Sequence, residues 1–246
     1  MRWRRPHTIH PAVPELREQL RTGDIDRREF LRTVTLLGVT ASAAYAMVGR
    51  LTGQPLVPRV QAAGKMGGNL RCSMRVQPMT DPATFDWGEK SNQARHILEY
   101  LTITGGDNIT RPYLAEAWEA SEDLRTWTLK LRQGVHWSNG EMFNADDVVY
   151  NITRWLDPRV GSSNLGLFDA MVTATETGQR SPNGQPVLSK SMSTGAVEKL
   201  DDYTVRLHLN RPVLAMPENL YHYPCAMVHR RFDDMGADLS KHPIGT

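Results

Sequence analysis

The apolar positions of this chain keep two different periods. From Leu70 to Val76 they alternate strictly, with Leu70, Cys72, Met74 and Val76 on one face and Arg71, Ser73 and Arg75 on the other. The same period of two recurs at Trp127, Leu129 and Leu131 within 126–132, and at Tyr203, Val205, Leu207 and Leu209. Such alternation predicts half-buried strands. The last of these follows 196–200 across Asp201-Asp202, which predicts a hairpin. A short strand is expected over 225–228. A helical period places Ala94, Ile97, Leu98 and Leu101 on one face of a helix over 92–101, N-capped by Ser91. Asn144, with Asp147 three residues on, predicts a capped helix reaching Leu156, with Val148, Ile152 and Trp155 inward and Pro158 as its stop. Short helices are expected over 112–118, with Pro112 in the first turn, and over 212–220. Helices and strands mix without βαβ regularity, so the fold class is α+β.

The first quarter of the chain reads differently. Residues 1–62 hold ten arginines against five acids, a net charge of +5 within a chain of net +2. The basic stretch ends at Arg32, and Thr33 to Val48 follows as 16 residues without a charge. About 20 residues are needed to span a bilayer, so a permanent membrane helix is disfavoured. Small residues come next, and cleavage is expected after Ala62 or, alternatively, after Ala46. Within this segment Asp26-Arg27-Arg28-Glu29-Phe30-Leu31-Arg32 closely resembles the twin-arginine motif. That resemblance implies export across a bacterial inner membrane by the twin-arginine translocase, with Arg27, Arg28, Phe30 and Leu31 as the export motif and 1–62 as signal peptide and spacer.

Charge and composition narrow the remainder. A net charge of +2 offers no basic surface for nucleic acid. A mean hydropathy of −0.45 argues against many membrane spans. Two cysteines, Cys72 and Cys225, are too few for a disulfide scaffold, and they are read either as buried thiols or as a bond formed after export. The eight histidines are scattered, with no metal-ligand spacing. No nucleophile elbow, zinc-protease motif, phosphate loop or C-x-x-C is present. No cofactor and no metal are therefore expected. Asp146 and Asp147 project about 100° apart on a helix and read as first-turn acids rather than a catalytic pair.

A family resemblance rests on an ordered set of segments. They are Pro112-Tyr113-Leu114-Ala115-Glu116-Ala117-Trp118, then Trp127-Thr128-Leu129-Lys130-Leu131-Arg132-Gln133-Gly134-Val135, then Asn139-Gly140, then Ala145-Asp146-Asp147-Val148. In this order they resemble the solute-binding proteins of peptide-type ABC transporters, family 5, over residues 67–246. The resemblance implies the N-terminal part of a two-lobed periplasmic binding protein of the type II clamshell kind, with mixed sheets and the second lobe missing. It also implies a non-enzymatic role: capture of peptides or similar small solutes and delivery to the ABC permease subunits. Pro243-Ile244-Gly245-Thr246 matches a stretch that continues in the family, so the chain is expected to be an N-terminal portion, from 63 to 246. Two segments match positions lining the family's cleft: Gly88, Glu89, Lys90 and Ser91, and Ser162, Ser163, Asn164 and Leu165. From the residues alone, both are equally plain solvated loops.

Two other readings stay open: an exported enzyme carrying a cofactor, and a non-functional truncated remnant. The targeting expectation has a direct test. Replacing Arg27 and Arg28 by Lys should hold a reporter fusion in the cytoplasm, as judged by cell fractionation. Undiminished export of the double variant rules out twin-arginine routing.

Overall fold

The computed structural model describes residues 9–53, 67–69, 71–75 and 77–246. Its central element is a four-stranded sheet in the order β3 (Ala115–Ala120), β4 (Thr126–Leu131), β8 (Thr204–His208), β7 (Val197–Asp201). Trp118 pairs with Leu129, and Trp127 with Leu207. The alternation foreseen on β4 and β8 is present: Trp127, Leu129, Leu131, Val205 and Leu207 are all buried on the core side. The helix α5 (Ala145–Trp155) lies against β7 and β8. Its N-terminus is a complete capping box: the Asn144 side chain accepts from Asp146 N at 2.9 Å, and Asp147 Oδ2 accepts from Asn144 N at 3.0 Å. Val148, Ile152 and Trp155 fill the core as the helical period requires.

Two smaller antiparallel pairs flank this layer. β1 (Thr102–Thr104) pairs with β2 (Thr110–Pro112), and β5 (Val172–Arg180) with β6 (Pro186–Met192). The β5–β6 ribbon is largely exposed. Every strand pair among the described residues is antiparallel, where mixed sheets were expected. The reason is topological. β3–β4 and β7–β8 are hairpins, and they join through the antiparallel β4–β8 pair, so no parallel crossover is formed.

Five other expectations change. Residues 71–75 are exposed and form no strand, since no strand among the described residues pairs with them; Leu70 and Val76 lie outside the described residues. Residues 115–120 are strand, not helix, because pairing with β4 and burial of Trp118 override a sequence that also suits a helix. The helix expected over 92–101 is instead α4 (Gly88–Ala94). It stops early because Tyr100 and Leu101 offer their carbonyls to Leu114 N and Ala115 N, at 3.1 and 2.8 Å, which requires extended chain. Residues 225–228 are buried but form no strand, and Val228 bonds to the Asn151 side chain instead (Nδ2 to Val228 O 2.7 Å, Val228 N to Oδ1 3.1 Å). The helix expected over 212–220 shrinks to α6 (Met216–Asn219).

The N-terminal segment folds onto this lobe. α1 (Val13–Thr22), α2 (Arg27–Leu36) and α3 (Ala41–Thr52) form a helical cap whose apolar cluster includes Ile109, Leu124 and Leu214. Gly38 turns α2 into α3 at φ +90°, and a Cβ there would stand 2.9 Å from the Trp118 carbonyl oxygen. No helix among the described residues is long and apolar enough to cross a membrane. Both cysteines are free, Cys72 exposed and Cys225 buried.

Trp127 is fully buried at the sheet centre, and its Nε1 has no hydrogen-bond partner. Trp127→Ala should therefore cost about 3–5 kcal/mol, read from a denaturant midpoint. Trp127→Phe keeps a ring and removes the orphaned N–H, so it should cost under about 1.5 kcal/mol. Equal losses for the two would show that the indole is not packed as described.

Candidate functional site

The two segments matched to cleft positions both connect to one turn, residues 81–85: 88–91 follows it along the chain, and 162–163 bond to it. Asp81 starts it, with Oδ1 accepting from Ala83 N at 3.0 Å, and Pro82–Thr84 forms a single 3-10 turn. Phe85 then drives its ring into the core and sends the chain outward through Asp86 and Trp87 into α4. The 162–165 segment lies along the same turn. Ser163 N donates to Ala83 O at 3.0 Å, Ser162 Oγ to Ala83 O at 3.2 Å, and Ser163 Oγ to Phe85 O at 2.9 Å. Three hydrogen bonds thus join 162–163 to a turn more than 70 residues earlier in the sequence, and that turn leads into 88–91.

The turn is anchored from below by Arg154. Its guanidinium binds both oxygens of Asp81, at 2.8 and 2.6 Å, and its Nε donates to Asp233 Oδ1 at 2.7 Å. The arginine side chain is only 6% exposed. Burial by itself would weaken its hold on the proton, but the Asp81 carboxylate and then Asp233 outweigh this and keep it charged. Its face also stacks on Phe232, 5.3 Å from the ring centroid.

The side chains of the candidate segments divide by role. Ser91 is buried and donates to the Tyr100 hydroxyl at 2.7 Å, which in turn donates to Tyr223 O at 3.2 Å. Burial raises the Tyr100 phenol above its ordinary range, the Ser91 bond opposing it. Asn164 is buried, donating to Pro224 O at 3.0 Å and accepting from the Cys225 thiol at 3.1 Å. Burial pushes that thiol well up, so it is held protonated. Ser162 is buried as well. Ser91, Ser162, Ser163 and Asn164 thus carry framework bonds. Gly88 and Ser163 are exposed, and Glu89, Lys90 and Leu165 are half-buried at the rim. Lys90 pairs with Asp86 at 2.8 Å, 5.9 Å above the Phe85 ring.

Sequence reasoning passed over three features of this region. Trp87 is 58% exposed beside Gly88, unlike the other core tryptophans; Asp86 and Gly88 on either side of it are the only local sign of a loop. Arg95 lies over Tyr221 and Tyr100, 4.6 and 5.3 Å from the centroids. Glu141 gathers His229 Nε2 at 3.2 Å, Arg230 Nη2 at 2.8 Å and Arg231 Nη2. Partial withdrawal from solvent would raise the Glu141 carboxyl, but His229, Arg231 and Arg230 outweigh it and hold it below its ordinary value. Asp147 is fully buried and joins this network through Trp137 Nε1 at 3.2 Å and Arg230 N at 3.2 Å. Asp146 turns outward to Lys199 at 2.9 Å, so the two acids diverge as their spacing requires. Among the described residues, no three of His, Cys, Asp and Glu stand where they could hold a metal ion.

Comparison with known proteins places this geometry. The family of bacterial extracellular solute-binding proteins, family 5, middle portion, matches residues 110–246. The periplasmic oligopeptide-binding protein OppA of Haemophilus influenzae is 32% identical over 133 residues, 54% of this chain and 24% of its own. The dipeptide-binding protein DppE of Bacillus subtilis is 26% identical over 208 residues, 76% of this chain and 34% of its own. The crystal structure of H. influenzae OppA with the peptide RPPGFSPFR superposes with a TM-score of 0.54 at 26% identity, over 68% of this chain and 32% of that one. This chain spans a quarter to a third of the length of these relatives.

The Arg154 anchor predicts a specific weakness. Asp81→Asn leaves a buried guanidinium with only Asp233 as an anionic partner and should destabilise the chain by about 3 kcal/mol, measured by chemical denaturation. A change under about 1 kcal/mol would show that the turn stands without the pair.

Proposed function

The chain belongs to the bacterial extracellular solute-binding proteins of family 5, and on that footing we propose that it supplies one wall of a peptide-binding cleft in an ABC importer. The observation that carries this reading is the bonding of Ser162 and Ser163 to the turn 81–85 that leads into 88–91, in a chain whose relatives are named for binding oligopeptides and dipeptides. The role is capture and delivery to permease subunits at the inner membrane rather than catalysis. The working compartment is the periplasm, reached through the motif Arg27–Leu31.

Physical chemistry supports a wall of this kind. Extended peptides are held largely by main-chain hydrogen bonds, which read no side chain and so tolerate many sequences. The exposed position of Gly88 suits such contacts, and the Trp87 face suits an apolar side chain. Lys90 and Glu89 at the rim favour the charged ends of a short peptide. Enclosure by a second lobe and hinge closure complete the site in a clamshell.

One wall cannot enclose a ligand. A full site buries about 70–90% of a drug-sized ligand, and each missing hydrogen bond forfeits about 0.5–1.5 kcal/mol. Three to five such losses weaken binding by roughly one to five powers of ten. Calorimetry of the 246-residue chain against di- to pentapeptides should give dissociation constants of about 100 μM or weaker. Submicromolar affinity would show that this chain alone encloses its ligand. Tight binding of a non-peptide solute, with none for peptides, would refute the peptide class.

A further inference from the structure

The apolar stretch that follows Arg32 does not stand free of the lobe. Gly38 breaks it into α2 and α3, and the two helices fold back on each other. Phe30, Val34, Ala44 and Val48 are completely buried, and Leu31 and Leu37 nearly so. The lobe contributes Ile109, Leu124 and Leu214 to the same cluster. Three contacts fix the register. Trp118 Nε1 on β3 donates to Leu36 O at 3.1 Å in a buried bond between residues 82 apart. Glu218 on α6 pairs with Arg32 at 2.5 Å. Gly38 sits so close to the Trp118 carbonyl that a side chain would be crowded there. The motif is thereby split: Arg28 faces solvent and Arg27 lies 6.0 Å over the Tyr45 ring, while Phe30 and Leu31 point inward.

We propose that the folded lobe masks its own export motif: residues 9–53 dock on β3 and α6, and the translocase engages Phe30, Leu31 and the apolar stretch only when α2 undocks. This rests on the twin-arginine reading of Arg27–Leu31. The consequence is a conformational tax. If engagement needs the undocked state, the apparent affinity of the translocase falls by the undocked fraction, and any change on the lobe that loosens the dock raises export without touching the motif. The surface charges remain available for a first encounter, and the apolar half is withheld.

Two variants on the lobe test this, since they leave residues 1–53 unaltered. Trp118→Phe keeps the ring and removes the donor to Leu36 O; Glu218→Gln, at a partly exposed site, removes the charge facing Arg32. In the purified full-length chain, amide exchange over 30–37 should quicken by about 2- to 10-fold in each, the worth of one hydrogen bond or ion pair. Pulse-labelled export in cells should quicken by a similar factor. Thermal melting of the Glu218→Gln chain, expected unchanged, separates undocking from loss of the lobe's fold. Slow exchange that neither variant alters, or faster exchange with unchanged export, would overturn the proposal. Arg27→Lys with Arg28→Lys should stop export and leave the exchange rates alone. Export that survives that pair refutes the routing, while the exchange data still decide the docking.

Discussion

The site region depends on one buried cation. Arg154 projects from α5 into a space where an unpaired charge would be intolerable, and Asp81 and Asp233 supply the two carboxylates that make it tolerable. Asp81 is also the residue that caps the turn 82–84. A single guanidinium therefore ties the helix behind the sheet to the loop in front of it and to the chain at 233. A fork of donors matched to a carboxylate fixes direction as well as distance. That is why the turn can serve as a platform on which Ser162 and Ser163 land.

The same economy of polar groups runs through the interior. Asp147 caps α5 and then collects Trp137 Nε1 and Arg230, so one carboxylate serves helix, core and surface. Asn151 replaces a missing strand partner for Val228 with both ends of its amide. Asn164 does likewise for Pro224 and Cys225. Buried amides and carboxylates of this kind must be satisfied or they cost more than they stabilise. The C-terminal residues are seated by the same rule: Ser138 N donates to Gly245 O at 2.7 Å, and a Cβ at 245 would overlap the Ile97 carbonyl oxygen, which only glycine avoids.

The N-terminal helices change what the lobe presents. Their apolar faces and Ile109, Leu124 and Leu214 form one cluster, so the face that carries Trp118 and Glu218 is covered by the chain itself.

By itself, the sequence determined the α+β class, the strands at 126–131 and 204–208, the capped helix after Asn144 and the divergence of Asp146 from Asp147. Each rests on short-range physics: a period of two, a period of 3.6 and a cap within one turn. The ordered segments from Pro112 to Val148 carried the family in the same way. Tertiary structure decided the rest. Residues 115–120 became strand because Leu129 was there to pair with Trp118, and 71–75 did not because no strand among the described residues pairs with them. Of the eight candidate site residues, the chain alone could not separate Ser91, Ser162 and Asn164, which are buried and bond inward, from Gly88, which is exposed. That division is set by partners at Tyr100, Ala83 and Pro224, up to 79 residues away, and a polar side chain carries no local sign of which partner it will meet.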